Sequence, residues 1–473
     1  MSIHMKPFVV ELKEQNPLAV FAAVEHLPYS ILFDSADLKH KDARYSFIVS
    51  HPIETIETKN GTSTLTNWDE QTTQECDPFD ILTKRMKHWR DKVESARGLP
   101  PFQGGAAGLF SYDLGRSIED VPAIAKDNKA MPDMAVGIYD TVIAFDHDKK
   151  QSWIITHAND YQTAKRKQDY ILSIVEGIEE PQPETDITID WHANFSRHDY
   201  EQRIRKTIDY IKAGDIFQAN IAQRFDAKLP EDFNPFEHYL RLRQINAAPF
   251  ACYMNTGNTK ISSASPERFL SSRQGRVFTQ PIKGTRPVSQ DQEIDEAARK
   301  DLLHSEKDKA ENTMIVDLLR NDLSKVCKTD SVEVSDLCAL ETFASVHHLV
   351  STIRAELKED KTPVDLLKAC FPGGSITGAP KIRAMEIIEE LEPSRRGPYC
   401  GSIGYIGFDG TMDTNILIRT LVYEGNTVSL QSGGGIVVDS DPSDEYQETL
   451  DKARAMFKSF ENNEEDDAIP LAG

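Results

Sequence analysis

Apolar residues recur at two spacings along this chain, and turn-forming residues mark where one gives way to the other. After Ser196, residues Tyr200, Ile204, Ile208 and Ile211 fall at helical spacing. Ser196 has the side chain of an N-cap and Gly214 that of a left-handed stop, so a helix is predicted between them. Ile382, Met385, Ile388 and Leu391 predict a second helix, directly after a glycine-rich stretch. Asp441-Pro442, with Asp444 in the first turn, predicts the start of a third, and Asp308 to Asp317 reads as a fourth. Strand-like runs occupy 136–145, 153–156, 262–264, 276–279, 402–408, 415–423 and 427–431. Several are joined by short turns, which predicts antiparallel pairing. Helices and strands alternate without a regular repeat, so the fold class expected is α+β.

Residues 7–178 read as mixed strand and loop, with Gly104, Gly105 and Gly108 predicting a strand under close backbone approach. The Pro-rich acidic stretch in 179–194 predicts a linker, 195–457 a second domain, and 458–473 an acidic tail. Acidic residues (76) outnumber basic ones (54), giving a net charge of -22 that argues against nucleic acid or an anionic membrane as partner. An anionic small substrate then needs local cations or a metal. Six scattered cysteines without a C-x-x-C pair read as free thiols. With no apolar h-region and no run of 18 apolar residues, the cytoplasm is the expected location.

Candidate chemistry concentrates after residue 260. Lys283, in Pro281-Ile-Lys-Gly-Thr, is predicted on a turn that presents its amine to a small pocket. Glu445, Glu448 and Lys452 share one face of the last helix, and Asp308 and Glu311 share a face of another. Two such helices either clamp a hard ion such as Mg²⁺ or present solvated acidic faces. Ser432-Gly433-Gly434-Gly435-Ile436 is either a carboxylate cradle or a tight turn. The stretch from Pro372 to Lys381 fails as a P-loop, since Ala379 stands where Lys is required. Glu267 is a candidate general acid, and an inward Arg419 needs an anionic partner. His348 is either a donor to a substrate oxygen or a satisfied core residue. Composition and spacing thus reach an enzyme for a small anionic substrate and do not name the reaction.

The motifs together resemble the chorismate-utilising enzymes. The similar segments are Gly214-Asp-Ile-Phe-Gln-Ala-Asn, Ser265-Pro-Glu-Arg-Phe, Pro281-Ile-Lys-Gly-Thr-Arg, the run from Glu311 to Asp322, Ser375-Ile-Thr-Gly-Ala-Pro-Lys, Gly397-Pro-Tyr-Cys-Gly-Ser and Asp444-Glu-Tyr-Gln-Glu-Thr. The resemblance implies a large antiparallel β-sheet core flanked by helices, with the N-terminal region interleaved with a catalytic region over 195–457. It implies Mg²⁺ on Glu311, Glu445 and Glu448, nucleophilic attack by Lys283 at C2 of chorismate, and Glu267 as acid. Ser375, Tyr399, Arg419, Gly433, Gly435 and Lys452 match substrate positions, and His348 a ring-contacting one. Lys283 selects the branch that replaces the C4 hydroxyl with an amino group, whereas anthranilate synthases, the alternative reading, carry Ala there. Gln218 stands where water-using members carry Lys. Ammonia is expected from a glutamine amidotransferase subunit. Ser35, Arg44, Tyr45, Ser46, Pro249 and Phe250 match positions where relatives hold tryptophan.

Overall fold

The computed structural model describes residues 4–14, 16–127, 131–183, 187–342 and 346–461. Most of the predicted acidic tail lies outside these residues. Two twelve-stranded antiparallel sheets form the frame. In the first, N-terminal strand Ser30–Asp34 pairs with Ala251–Asn255, Leu32 opposite Tyr253. In the second, Gly105–Phe110 pairs with Ser402–Gly407, Gly108 opposite Gly404. Each sheet is therefore built from both halves of the chain, which is the interleaving expected. The α+β architecture with antiparallel sheets and flanking helices is as the sequence predicts.

The two sheets share one apolar core. Ile31, Phe47, Met254 and Ile261 of the first meet Ala107, Leu109, Ala135, Ile403 and Tyr405 of the second. Their remaining apolar faces are covered by helices. Arg197–Ala213, Lys381–Leu391 and Pro442–Lys458 pack on the first sheet, where Trp191, Tyr200, Leu391 and Phe457 are buried together. Glu306–Val326 and Pro363–Cys370 pack on the second through Ile315, Leu319, Leu323 and Leu367. The predicted caps are in place. Ser196 accepts a hydrogen bond from the Asp199 N–H, Gly214 adopts φ +84°, and Asp441 caps the last helix above Pro442.

Two differences from the sequence expectation share one cause. The run 136–145 is two strands, Met134–Tyr139 in the second sheet and Thr141–Asp146 in the first. The run 415–423 likewise divides into Met412–Asn415 and Thr420–Glu424, again in different sheets. Beyond Thr259–Ser263 the chain also crosses, resuming as Arg268–Arg273 in the second sheet. The links at 140 and 416–419 are short and flanked closely by apolar residues, so no loop-like stretch marks the change of sheet. The N-terminal region also carries helices not foreseen there, among them Pro78–Arg90, whose Phe79, Leu82 and Met86 face the core. Within the expected linker, Ile187, Ile189 and Trp191 are buried in the core of the first sheet.

Gly108 marks a close approach of strands in the second sheet: a Cβ there would lie 2.1 Å from the Ala135 carbonyl oxygen. Gly108→Ala is expected to cost about 2–4 kcal/mol, because only a backbone shift relieves the overlap. Urea unfolding measures it, and an unchanged midpoint would show that the strand pair tolerates a Cβ.

Candidate active site

Two of the crossings between sheets lie side by side. The Ile416 N–H donates to the Glu267 carbonyl (3.0 Å), and the Ala264 N–H donates to that of Arg419 (3.1 Å). One crossing thereby holds Glu267, the other Arg419. The latter residue has φ +52°, in the left-handed region, and sits in this irregular link rather than in the continuous strand expected. Burial lowers the pKa of its guanidinium. No carboxylate among the described residues forms an ion pair with it. A desolvated cation of this kind is a receptor for an anionic ligand.

Lys283 lies in strand Ile282–Pro287, not on a turn, paired opposite Leu349 of Val346–Glu356. A bulge follows it at Gly284, whose φ of +68° supplies the bend that the flanking glycine suggested. The Lys283 ammonium donates to the Ser375 carbonyl at 3.1 Å. Ser375 in turn donates its hydroxyl to Glu267 Oε1 at 2.8 Å. Residues from three distant segments thus meet at one short turn, Gly374–Ile376. Burial pushes the Glu267 carboxyl up to about 7, against the pull of Ser375, Lys283 and the Ile282 N–H. Near neutral pH it is poised as a general acid.

His348 is buried, and burial holds its pKa down to about 4, so the ring is neutral. Its Nδ1 lies 3.0 Å from the Gly284 carbonyl and 3.0 Å from the Thr285 hydroxyl. A carbonyl only accepts, so Nδ1 carries the hydrogen and Nε2 the lone pair. The sequence left open a donor to a substrate oxygen or a satisfied core residue; in this tautomer Nδ1 is satisfied by the protein and Nε2 is an acceptor.

Gly433 and Gly435 lie within strand Thr427–Ile436, paired opposite Ala222 and Asn220, and form neither a turn nor a loop. The adjacent strand Thr420–Glu424 pairs only as far as Leu430, so that edge of the glycine segment lies beyond its end. Gly434 serves a different purpose: a Cβ there would lie 2.9 Å from Glu445 Oε2 and 3.3 Å from Glu448 Oε1. The bare strand lets both carboxylates approach. Glu445 Oε1 accepts from Ser440 (2.6 Å), whereas its Oε2 is buried without a hydrogen-bond partner. Lys452 pairs with Glu448 (2.5 Å) and donates to the Gly433 carbonyl (3.0 Å), so its ammonium is committed to the protein. Burial raises the Glu311 pKa, Lys283 and Lys307 oppose, and the charge of Glu448 adds to the rise. Among the described residues no group of three His, Cys, Asp or Glu side chains is gathered so as to hold a metal ion by itself. The arrangement still fits a hard divalent ion. One orphaned carboxylate oxygen and flanking glutamates suffice when the ligand itself supplies oxygens.

Tyr399 is buried beneath Arg396, whose guanidinium lies 5.8 Å from its ring centroid. Arg396 is the site residue that sequence reasoning missed. It pairs with Glu392 and donates to the carbonyls of Ile376 (2.9 Å) and Asn220 (2.7 Å), tying the Ser375 turn to the strand facing the glycines. Its only sequence signal was a Glu and an Arg four apart, a pattern common on surfaces.

A separate cavity of about 290 Å³ lies between the sheets, with Ser35, Arg44, Tyr45, Pro249 and Phe250 among its lining residues. Ser46 stands behind it, accepting from the Ser35 N–H (3.2 Å) and bonding His147 (2.8 Å). Asp34 is held by Arg243 (2.6 Å) and Tyr239 (2.8 Å).

Residues 30–458 match the chorismate binding enzyme family. The chain belongs to that family. It is 41% identical over 462 residues to aminodeoxychorismate synthase component 1 of Escherichia coli (strain K12), covering 97% of this chain and 99% of the relative. It is 37% identical to anthranilate synthase component 1 of Thermus thermophilus, covering 97% of each. The crystal structure of anthranilate synthase component I from Streptococcus pneumoniae superimposes with a TM-score of 0.78 at 34% identity, covering 87% of this chain and 92% of that one. A chorismate-binding fold suits the site found, where a cation, an acid and an amine converge between the sheets. No helix among the described residues is long and apolar enough to cross a membrane.

The raised Glu267 pKa has a consequence for stability. With the folded value above the unfolded one, the native state binds the extra proton, and that stabilisation is lost as pH rises from about 4.5 to about 7. Glu267→Gln, which mimics the protonated form, is expected to raise the melting temperature at pH 8 and to leave it nearly unchanged at pH 4.5. Calorimetry at both pH values checks this, and an equal shift at each would refute it.

Proposed function

We propose that this chain converts chorismate and ammonia to 4-amino-4-deoxychorismate, the step toward p-aminobenzoate and folate. The observation that carries the reading is the junction at Ser375, which joins the Lys283 amine and the Glu267 carboxyl through one residue. The identity to curated aminodeoxychorismate synthase component 1 proteins supports the same branch.

Chorismate has two carboxylates and, at C4, a hydroxyl that leaves poorly. Arg419 and the backbone of Gly433 and Gly435 receive the enolpyruvyl carboxylate, beside Tyr399. Glu311, Glu445 and Glu448 would hold Mg²⁺, whose charge would offset that of the ring carboxylate. The Lys283 ammonium first gives a proton to solvent; the free amine attacks C2, the ring double bond shifts, and the C4–O bond breaks. Glu267 gives its proton to the departing hydroxyl, which leaves as water. Ammonia then attacks C4, the C2–N bond breaks, and the Lys283 amine is restored. The surplus proton on the new amino group returns to the Glu267 carboxylate. His348, an acceptor at neutral pH, orients a ring hydroxyl. Ammonia comes from a glutamine amidotransferase subunit, and the cavity at Ser35, Arg44, Tyr45, Pro249 and Phe250, backed by Ser46, holds tryptophan.

With chorismate, Mg²⁺ and ammonium, the wild-type protein is expected to form aminodeoxychorismate and no anthranilate, read by chromatography and fluorescence. Lys283→Ala is expected to lose at least about 10³-fold in kcat, and Glu267→Gln about 10²–10⁴-fold. Anthranilate released by the wild type alone would assign the chain to the other branch. Full activity in Lys283→Ala would remove the nucleophilic role.

A further inference from the structure

Glu311, on helix Glu306–Val326, lies within electrostatic reach of Glu448, which shares helix Pro442–Lys458 with Glu445. Three like charges so placed need cations nearby. Lysines supply them. Lys452 pairs with Glu448 (2.5 Å) and is anchored on the Gly433 carbonyl (3.0 Å), while Lys283 is anchored on that of Ser375 (3.1 Å). The third is Lys307, one helical turn before Glu311 and on the same face. Its ammonium lies 3.9 Å from Glu445 Oε1, so its charge bridges the two helices.

Lys307 differs from the other two in how it is held. At 3.9 Å the contact is too long for a hydrogen bond, and the ammonium makes none among the described residues. The side chain is half-exposed, whereas Glu445 is buried. Its charge nevertheless reaches all three carboxyls. It opposes the rise that burial gives those of Glu311 and Glu445, and with Lys452 it lowers that of Glu448 against burial. A compact ammonium on a flexible stem, held by charge alone and already half in water, leaves its place at little cost.

We infer that Lys307 is a resident stand-in for the metal: its ammonium balances the acidic cluster while the site is empty and gives way when Mg²⁺ binds. The inference rests on the reading that Glu311, Glu445 and Glu448 hold Mg²⁺, and adds what offsets their charge beforehand. Lys307 approaches Glu445 Oε1, whereas Oε2, which has no hydrogen-bond partner, is left to the ion. An ammonium and a divalent ion repel, so they do not share the carboxylates without loss. Linkage then fixes the sign: whatever stability Lys307 lends the metal-free protein is subtracted from the affinity for the metal. A lysine that merely braced the two helices would act the other way, since its removal would loosen the site and weaken binding. The arrangement keeps three carboxylates ordered without the ion, at the expense of tight binding.

The test is calorimetric titration of the whole protein with magnesium chloride, together with melting temperatures in zero and saturating Mg²⁺. Lys307→Met keeps the length of the side chain and removes its charge. It is expected to lower Kd for Mg²⁺ about five- to tenfold, the effect of removing one like charge near a divalent ion. The metal-free variant is expected to melt below the metal-free wild type, and the two to converge in saturating Mg²⁺. Lys307→Arg keeps the charge and is expected to hold Kd within about twofold of wild type. Lys307→Gln carries the test if Lys307→Met does not fold. An unchanged or raised Kd in the neutral variant, or a melting gap that persists in saturating Mg²⁺, overturns the stand-in role. So does an equal fall in Kd for Lys307→Arg. A wild-type protein that takes up no Mg²⁺ overturns the metal assignment itself.

Discussion

The site depends on two crossings of the chain between sheets, made side by side and bonded to each other. Segment 264–267 leaves the first sheet for the second, and 416–419 makes the opposite passage. Their mutual bonds, Ala264 to Arg419 and Ile416 to Glu267, satisfy backbone groups that neither sheet can reach. A strand interior would leave no room for a ligand, since its groups are used in the ladder. A crossing has irregular backbone, is buried between layers, and points side chains along the gap. The left-handed φ of Arg419 belongs to such a place, where surrounding structure holds a conformation that strands do not use. The acid and the cation are therefore placed by topology, and both lose water for the same reason.

That shared desolvation acts oppositely on the two groups. It keeps Glu267 protonated near neutrality and makes the Arg419 charge costly until an anion arrives. The chain carries a net charge of -22, and its long-range field disfavours an anionic ligand. Screening confines that field to roughly 8 Å in physiological salt, whereas a buried guanidinium acts at contact in low dielectric. Local geometry outweighs the average charge. This is why an acidic protein can bind a dicarboxylate.

Elements governed by local rules were legible in the sequence. The helix from Ser196 to Gly214 and the one beginning at Asp441-Pro442 were readable from their caps, because capping involves residues within one turn. The elements misread were those governed by partners far away. Lys283 looked like a turn residue beside glycine, yet pairing with 346–350 draws it into a strand and reduces the glycine to a bulge. Gly433 to Gly435 carry no side chains and so no period, and only the partner strand makes them a strand. The crossings at 140 and 416–419 read as continuous strands because apolar residues flank each one closely and leave no loop-like stretch to mark a break. Motif resemblance found Glu267, Arg419 and Glu448 regardless, since it does not depend on which element carries them. It did not find Arg396, whose contacts are mostly to backbone and rings.

A pattern in the unsatisfied groups ties these strands of argument together. Among the described residues Arg419 has no carboxylate paired with it and Glu445 Oε2 has no hydrogen-bond partner, and both lie beside the glycine-bare strand and the adjoining crossing. Each such group costs on the order of 1–3 kcal/mol when buried unpaired. Buried polar atoms without partners occur elsewhere in the fold as well, so it is the charge of these two groups that sets them apart. Together they make an inverse image of a ligand set: an anion for the guanidinium and a cation for the carboxylate. The satisfied partners point the same way, since Arg396, Ser440 and Lys452 spend their bonds holding the unsatisfied groups in position. At this seam the fold accepts charge that it does not fully pair, because a ligand rather than the protein supplies the partner.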